Sequence, residues 1–202
     1  MIAALLKSLS LRIASRIAGA QGHWPHGAPS PAQRIYCANH TSHLDAALLL
    51  ASLPAPLRDR TRPVAAADYW QAGPLRAWLI ERIFRPVLIH RDSRQLNPLG
   101  PAFEALRHGE SLIMFPEGTR GPGGFLQPLK PGIFALARAF PQVEIVPVWI
   151  ANASRVLPKR ALLPIPGECT LHFGPPLHWD GLEDAPAFLT RLRTAMESLR
   201  PQ

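Results

Sequence analysis

The sequence predicts an α/β fold: a layered, mostly parallel or mixed sheet flanked by helices, preceded by an amphipathic helix suited to a membrane interface. Three observations predict it. Short apolar runs alternate along the chain with stretches of helical periodicity, the pattern expected of strands joined by crossover helices. With 202 residues, 47% of them hydrophobic, the chain is long enough to close one sizeable core. Its first twenty residues collect apolar side chains on one helical face without forming an uncharged span.

That first element covers residues 1–20. At about 100° per residue, Ile2, Leu5, Leu6, Leu9, Ile13 and Ile17 gather on one face. Lys7, Ser8 and Ser15 take the other, and Arg12 and Arg16 flank the apolar stripe. No stretch of about 18 residues is free of charge, which argues against a membrane span. Basic residues interrupting the apolar run, with only a weak cleavage site at Ala18-Gly19-Ala20, argue against a signal peptide. The expected arrangement is a helix lying in the interface plane, its arginine stems reaching toward headgroups. Docking of the same helix on its own domain is the alternative.

Residues 21–31, rich in Gly, Pro, His and Ser, read as a linker, and residues 32–202 as one domain. Within it, strands are expected over 34–38, 63–67, 86–90, 111–115, 144–149 and 169–173. Helices are expected over 44–52, 71–83, 95–107, 133–140 and 185–199. The segments 121–131 and 152–168 hold many Gly and Pro residues and read as surface loops. Tyr69, Trp70, Leu75, Trp78 and Leu79 form an aromatic–aliphatic stretch that fits an apolar groove, the interface or plain core packing. The two cysteines, Cys37 and Cys169, exclude a disulfide framework and a Cys-rich metal site, and are expected to be small core residues in a reducing compartment.

The net charge of +8 fits nucleic acid, an anionic membrane surface or a phosphate-bearing substrate. All but three of the 22 basic residues are arginine, so biased composition contributes too. The arginines are dispersed and no reader motif is present, which disfavours nucleic acid.

Two clusters carry chemistry. The first, Asn39-His40-Thr41-Ser42-His43-Leu44-Asp45, follows the first strand of the domain. Ser42 is a natural N-cap, and Asp45 three residues later completes an S-x-x-D capping-box pattern. His40 then lies in the strand-to-helix turn and Asp45 in the first helical turn, within reach of one imidazole nitrogen. Such an Asp fixes the tautomer and stabilises the imidazolium, leaving the other nitrogen to accept a proton from a hydroxyl. An isolated H-x-x-x-x-D is common, and Asp45 as a mere cap beside a solvated His40 is the competing account. A metal site built on His40, His43 and Asp45 lacks its remaining ligands.

The second cluster, Phe115-Pro116-Glu117-Gly118-Thr119-Arg120-Gly121, directly follows a later strand. A turn with a carboxylate, a hydroxyl and a guanidinium makes a compact polar nest. Arg120 is suited to bidentate phosphate binding, with Thr119 and backbone N–H groups as further donors. Taken alone, it also fits an ordinary surface turn.

Together, in this order, N-H-T-S-H-L-D and F-P-E-G-T-R resemble the glycerolipid acyltransferase family, typified by 1-acylglycerol-3-phosphate acyltransferases. The resemblance runs from about Ile35 to Val148 in four blocks. It implies that His40 is the base and Asp45 its orienting partner, and that Glu117, Gly118 and Arg120 belong to the block that binds the acceptor's phosphate. Val146-Pro147-Val148 matches the fourth block. Leu129-Lys130-Pro131-Gly132 is similar to the family's F-K-x-G segment and makes Lys130 a further phosphate contact. In the second block the family usually shows G-x-x-F-I-x-R, and this chain has Arg85-Pro86-Val87-Leu88-Ile89-His90-Arg91. Arg91 is retained as a phosphate ligand, whereas Arg85 and Leu88 replace the Gly and Phe, and Gly121 stands where many members carry Ser.

The implied reaction moves a fatty acyl group from a thioester donor to a lysophospholipid hydroxyl, most simply 1-acylglycerol-3-phosphate giving phosphatidic acid. Acyl-CoA or acyl carrier protein serves as co-substrate, with no cofactor and no metal. No serine lies in a G-x-S-x-G elbow, so direct attack by the hydroxyl is expected, without an acyl-enzyme. The expected location is the cytoplasmic face of a membrane, monotopic or peripheral, on an anionic surface. An acyltransferase for another lysolipid, such as an amino-acid-based one, a lipid hydrolase using the same pair with water, and a non-enzymatic membrane-binding protein are the alternatives.

Overall fold

The computed structural model describes residues 2–27, 29–67, 81, 84–89, 97–157 and 165–201. The described chain runs α1 (Ile2–Ile17), β1 (Gln21–His23), β2 (Arg34–Ala38), α2 (Asp45–Ser52), α3 (Ala55–Asp59), β3 (Thr61–Ala66) and β4 (Val87–Ile89). It continues through α4 (Gly100–Arg107), β5 (Ser111–Met114), α5 (Gly132–Ala139), β6 (Glu144–Ala151), α6 (Ala153–Val156), β7 (Thr170–Phe173) and α7 (Ala185–Glu197). The strands form one seven-stranded sheet in the order β1-β7-β6-β2-β5-β3-β4. Every neighbouring pair is parallel except β6 and β7. The mixed, largely parallel sheet is the one expected from the sequence.

Each predicted strand has its counterpart, shifted by at most two residues at an end. Of the five helices predicted within the domain, those over 44–52, 133–140 and 185–199 match α2, α5 and α7 to within two residues, and the one over 95–107 is α4, which begins only at Gly100; the helix expected over 71–83, with Tyr69, Trp70, Trp78, Leu75 and Leu79, lies outside the described residues apart from position 81. One difference concerns the linker: its first three residues are β1, paired in parallel with β7 through Gln21↔Thr170 and His23↔His172. A three-residue strand has no period to read, and only its partner makes it a strand. Two further short helices, α3 and α6, follow Pro54 and the left-handed Asn152.

Buried on both faces, β2 shows no polar alternation, as expected for a strand covered by helices above and below. Ile35 and Cys37 pack into one apolar cluster with Ala105 and Leu106 of α4, Leu136 of α5 and Leu192 of α7. Tyr36 and Ala38 point into the opposite cluster with Leu11 of α1, Leu48 and Leu49 of α2 and Val156 of α6. The domain is therefore three layers, helices on both faces of the sheet. Both cysteines are buried; burial pushes the Cys37 thiol up beyond the usual range, and burial, then the Asp45 charge, raises Cys169 to about 11. They are inert core residues.

Helix α1 docks on the body through an unexpected face. Leu11 and Ala18, off the apolar stripe, are the residues buried in the core. Lys7, also off the stripe, reaches the Arg58 carbonyl at 3.3 Å and Asp59 at 3.8 Å. Leu6, Leu9 and Ile13, all on the stripe, stay exposed. Gly19 ends the helix at φ +54, where the Gly167 carbonyl oxygen fills the space a Cβ would take, so only glycine fits. No helix among the described residues is long and apolar enough to cross a membrane.

The topology fixes where a site can form. β2 lies between β6 and β5, parallel to both. Leaving its carboxyl end, β2 feeds α2 on one face, whereas β5 feeds α5 on the other. A crevice opens outside the carboxyl ends of neighbouring parallel strands at such a switch point. Both motif turns emerge there.

Candidate active site

The site is built from the turn after β2. Asn39 ends that strand by substituting its amide for backbone: Ile150 N donates to Oδ1 at 2.6 Å, and Nδ2 donates to the Ile150 carbonyl at 2.9 Å. The main chain is released from the sheet while its neighbour β6 remains satisfied. His40 follows, its Nδ1 2.8 Å from Asp45 Oδ2. The same Oδ2 accepts from Thr41 N at 2.6 Å and Ser42 N at 2.8 Å. Three donors on one oxygen hold the ionised carboxylate and fix the turn as well as the imidazole. Asp45 is completely buried, and Oδ1 has no hydrogen-bond partner among the described residues.

The cap differs from the sequence expectation. α2 begins at Asp45, and its N-cap Leu44 makes no side-chain cap bond. Ser42 Oγ instead donates to the Leu157 carbonyl at 2.9 Å and accepts from Leu44 N at 3.3 Å. The Asp45 half of the capping box is made; the serine half is diverted to a residue far away in sequence. Asp45 therefore caps the turn and holds the His40 imidazole with the same atom, which departs from the account of a mere cap beside a solvated histidine.

His40 stacks on Phe115, ring centroids 4.1 Å apart at 19°. Its side chain is 23% exposed, and its hydrogen bond to Asp45 is made through Nδ1, so Nε2 is the nitrogen not engaged by the carboxylate. A buried acceptor behind the ring, an aromatic wall beside it and a second nitrogen outside that bond are features a general base requires.

The turn after β5 is bolted to the first. Glu117, only 4% exposed, accepts His40 N on Oε1 at 2.7 Å and Gln127 N on Oε2 at 2.8 Å. Gly121 N donates to the His40 carbonyl at 2.8 Å. Burial pushes the Glu117 carboxyl above the usual carboxylate range, opposed by the two backbone N–H groups that it accepts. With both oxygens occupied by main chain, Glu117 is placed to set the position of His40 rather than to meet a phosphate. The far end of this loop is held by α7, where Arg193 donates to the Leu126 carbonyl at 2.9 Å and to that of Gln127 at 3.3 Å.

Around that strut lie the basic groups. Arg120, partly exposed, contacts His43 Nε2 through Nη1. Thr119 is exposed. Lys130, also exposed, is anchored by its N–H to the Pro116 carbonyl at 2.8 Å, and its stem crosses Gly118. Arg91 and His90 lie outside the described residues. The structure thus brings His40, Asp45, Glu117, Gly118, Thr119, Arg120 and Lys130 to one crevice. Sequence reasoning put Asn39 and Phe115 in the two clusters without giving either a role, and did not reach Gln127; the strand end before His40 and the aromatic before Pro116 were the available signals.

Gly118 tests the packing. It sits at φ +70, and an added Cβ would stand 2.7 Å from Lys130 Cε and 2.9 Å from Cδ. Gly118→Ala combines left-handed strain of about 1–2 kcal/mol with displacement of the lysine stem. A melting temperature lower by roughly 3–8 °C is expected. An unchanged melt would mean the turn relaxes without cost.

A strand–turn–helix that holds a His–Asp pair thus lies beside a second turn, with Arg120 and Lys130 near it, at the carboxyl ends of β2 and β5. The chain belongs to the Acyltransferase family, whose sequence profile matches residues 23–151. It is similar to human 1-acyl-sn-glycerol-3-phosphate acyltransferase alpha, 30% identical over 176 residues, covering 85% of this chain and 60% of the human protein. A Helicobacter pylori 1-acyl-sn-glycerol-3-phosphate acyltransferase is 35% identical over 80 residues, 38% of this chain and 33% of that one. The fold is that of the Thermotoga maritima 1-acyl-sn-glycerophosphate acyltransferase PlsC crystal structure. That likeness has a TM-score of 0.73 at 22% identity and covers 96% of this chain and 79% of that one. The chain spans about 60% of the length of the mammalian relatives it matches.

Proposed function

We propose that this chain transfers a fatty acyl group from a thioester donor to the hydroxyl of 1-acylglycerol-3-phosphate, giving phosphatidic acid. The observation that carries the reading is the 2.8 Å bond between His40 Nδ1 and Asp45 Oδ2, which keeps Nε2 outside the carboxylate contact, in a turn that Arg120 meets through His43. The names of the relatives support the acceptor. His40 Nε2 takes the hydroxyl proton as the oxygen attacks the thioester carbonyl carbon. The tetrahedral oxyanion collapses, the carbon–sulfur bond breaks, and the leaving thiolate takes the proton from the imidazolium. Arg120, with Lys130, Thr119 and Arg91, holds the acceptor's phosphate so that its hydroxyl meets His40. The donor is acyl-CoA or acyl carrier protein, both anionic and matched to a basic surface.

The apolar stripe of α1 supports a membrane as the setting of this chemistry. Leu6, Leu9 and Ile13 face outward with Arg12 and Arg16 exposed beside them, the arrangement of a helix seated among anionic headgroups. The cytoplasmic face, where anionic lipids concentrate, is the proposed location.

The test is an assay of purified protein crossing acyl-CoA and acyl carrier protein donors with lysophosphatidic acid, a neutral lysolipid and an amino-acid-based lysolipid. Ester formation with lysophosphatidic acid should dominate. Arg120→Ala should raise its KM about 10- to 100-fold, the worth of a charge-assisted contact, and largely erase the preference over neutral acceptors. Equal use of all three lysolipids by the unaltered protein would sink the phosphate-bearing acceptor. Release of free fatty acid without acceptor would favour hydrolysis.

A further inference from the structure

His43 stands in the first motif turn but belongs neither to the base nor to its orienting partner. Its Nε2 is nevertheless in contact with Nη1 of Arg120, from the other motif turn, 77 residues further on. A guanidinium has donors only and does not lose its proton. An imidazole that accepts from it does so through the lone pair of Nε2. One donor of a rigid planar fork is then committed to a ring that is itself mounted on the turn between His40 and Asp45. That turn is fixed by Thr41 N and Ser42 N on Asp45 Oδ2 at 2.6 and 2.8 Å. The plane of the guanidinium is thus referenced to the same carboxylate that orients the base.

We propose that His43 is a positioning residue for the acceptor's phosphate: it orders the Arg120 guanidinium before the lysophospholipid arrives. The inference rests on Arg120 being a phosphate contact. A long, rotamer-rich side chain that must be immobilised on binding weakens affinity, and one already held does not. The effect belongs to acceptor binding rather than to proton transfer, because the contact at His43 Nε2 is with the guanidinium.

Steady-state kinetics with varied lysophosphatidic acid and saturating donor separate the possibilities. His43→Ala should raise the acceptor KM about 3- to 10-fold, with kcat within about twofold. His43→Gln carries an amide oxygen near the place of Nε2 and should return KM to within about twofold of the starting value. In the Arg120→Ala background, His43→Ala should add nothing, because no guanidinium is left to order. A His43→Ala effect that persists undiminished in that background, or that falls on kcat alone, overturns the proposal, as does a failure of glutamine to rescue. If Arg120→Ala raises KM while His43→Ala is silent, the positioning role fails and the phosphate site stands. If Arg120→Ala leaves KM unchanged, the phosphate reading itself has failed.

Discussion

His40→Ala is expected to lower kcat by about 10²- to 10⁴-fold, the contribution of a positioned general base, with acceptor KM little changed. The loss follows from what the ring alone supplies. Its Nδ1 is held at 2.8 Å by a buried carboxylate, with Nε2 outside that bond. Two nearby titratable groups are poorly placed to take over. Cys169 is buried with its thiol raised to about 11, and the Glu117 carboxylate is occupied by two backbone N–H groups. The substitution keeps the backbone N–H at position 40 that Glu117 accepts, so the turn should survive. What is lost from the fold is the stack on Phe115, worth about 0.5–1.5 kcal/mol, and the Nδ1 bond to Asp45, whose Oδ2 keeps Thr41 N and Ser42 N; together they lower the melting temperature by several degrees. Phosphatidic acid formation at undiminished rate by a folded His40→Ala protein would remove the mechanism altogether.

Asp45→Asn should be nearly as damaging, for a narrower reason. Oδ2 accepts from Thr41 N, Ser42 N and His40, whereas Oδ1 has no partner among the described residues. The backbone donors therefore demand that an asparagine place its carbonyl where Oδ2 stood, which leaves its NH2 buried in the position of the bare oxygen. The tautomer of His40 is kept and the turn is kept. The negative charge that stabilises the imidazolium is gone, and two amide hydrogens are buried unpaired at about 1–3 kcal/mol. The expected result is a kcat loss of about 10²-fold or more at nearly constant KM, with a melting temperature lower by several degrees. Asp45→Ala should do worse in both respects, because Thr41 N and Ser42 N lose their acceptor too. Similar kcat values for Asp45→Asn and the unaltered protein would reduce Asp45 to a helix cap.

What the sequence made legible is what local chemistry determines. Strands buried on both faces announce themselves as unbroken apolar runs, and the His40–Asp45 spacing follows from one strand end meeting one helix start. The features that escaped depend on distant partners. β1 exists because β7 lies beside it, and the Ser42 hydroxyl turns to Leu157, 115 positions away. Glu117, grouped by its neighbours with the phosphate ligands, finds its partners at His40 and Gln127, 77 and 10 positions away. Helix α1 shows the limit differently. Its stripe was visible in the sequence, but which stripe faces inward is decided by the surface it lands on, and Leu11 and Ala18 won that contest.

The Glu117 strut also alters how an alanine scan of this protein has to be interpreted. Ordinarily, a residue three places from Arg120 whose removal abolishes turnover would be credited with substrate contact or proton transfer. Here the carboxylate suspends the main chain of His40 from the opposite wall of the crevice, so its loss lets the imidazole drift. A shift of about 1 Å is enough to cost roughly 10²-fold in rate. In the proposed reaction the E-G-T-R segment is therefore two instruments in one short turn: Arg120 reads the acceptor, and Glu117 keeps the base in register with whatever Arg120 has caught.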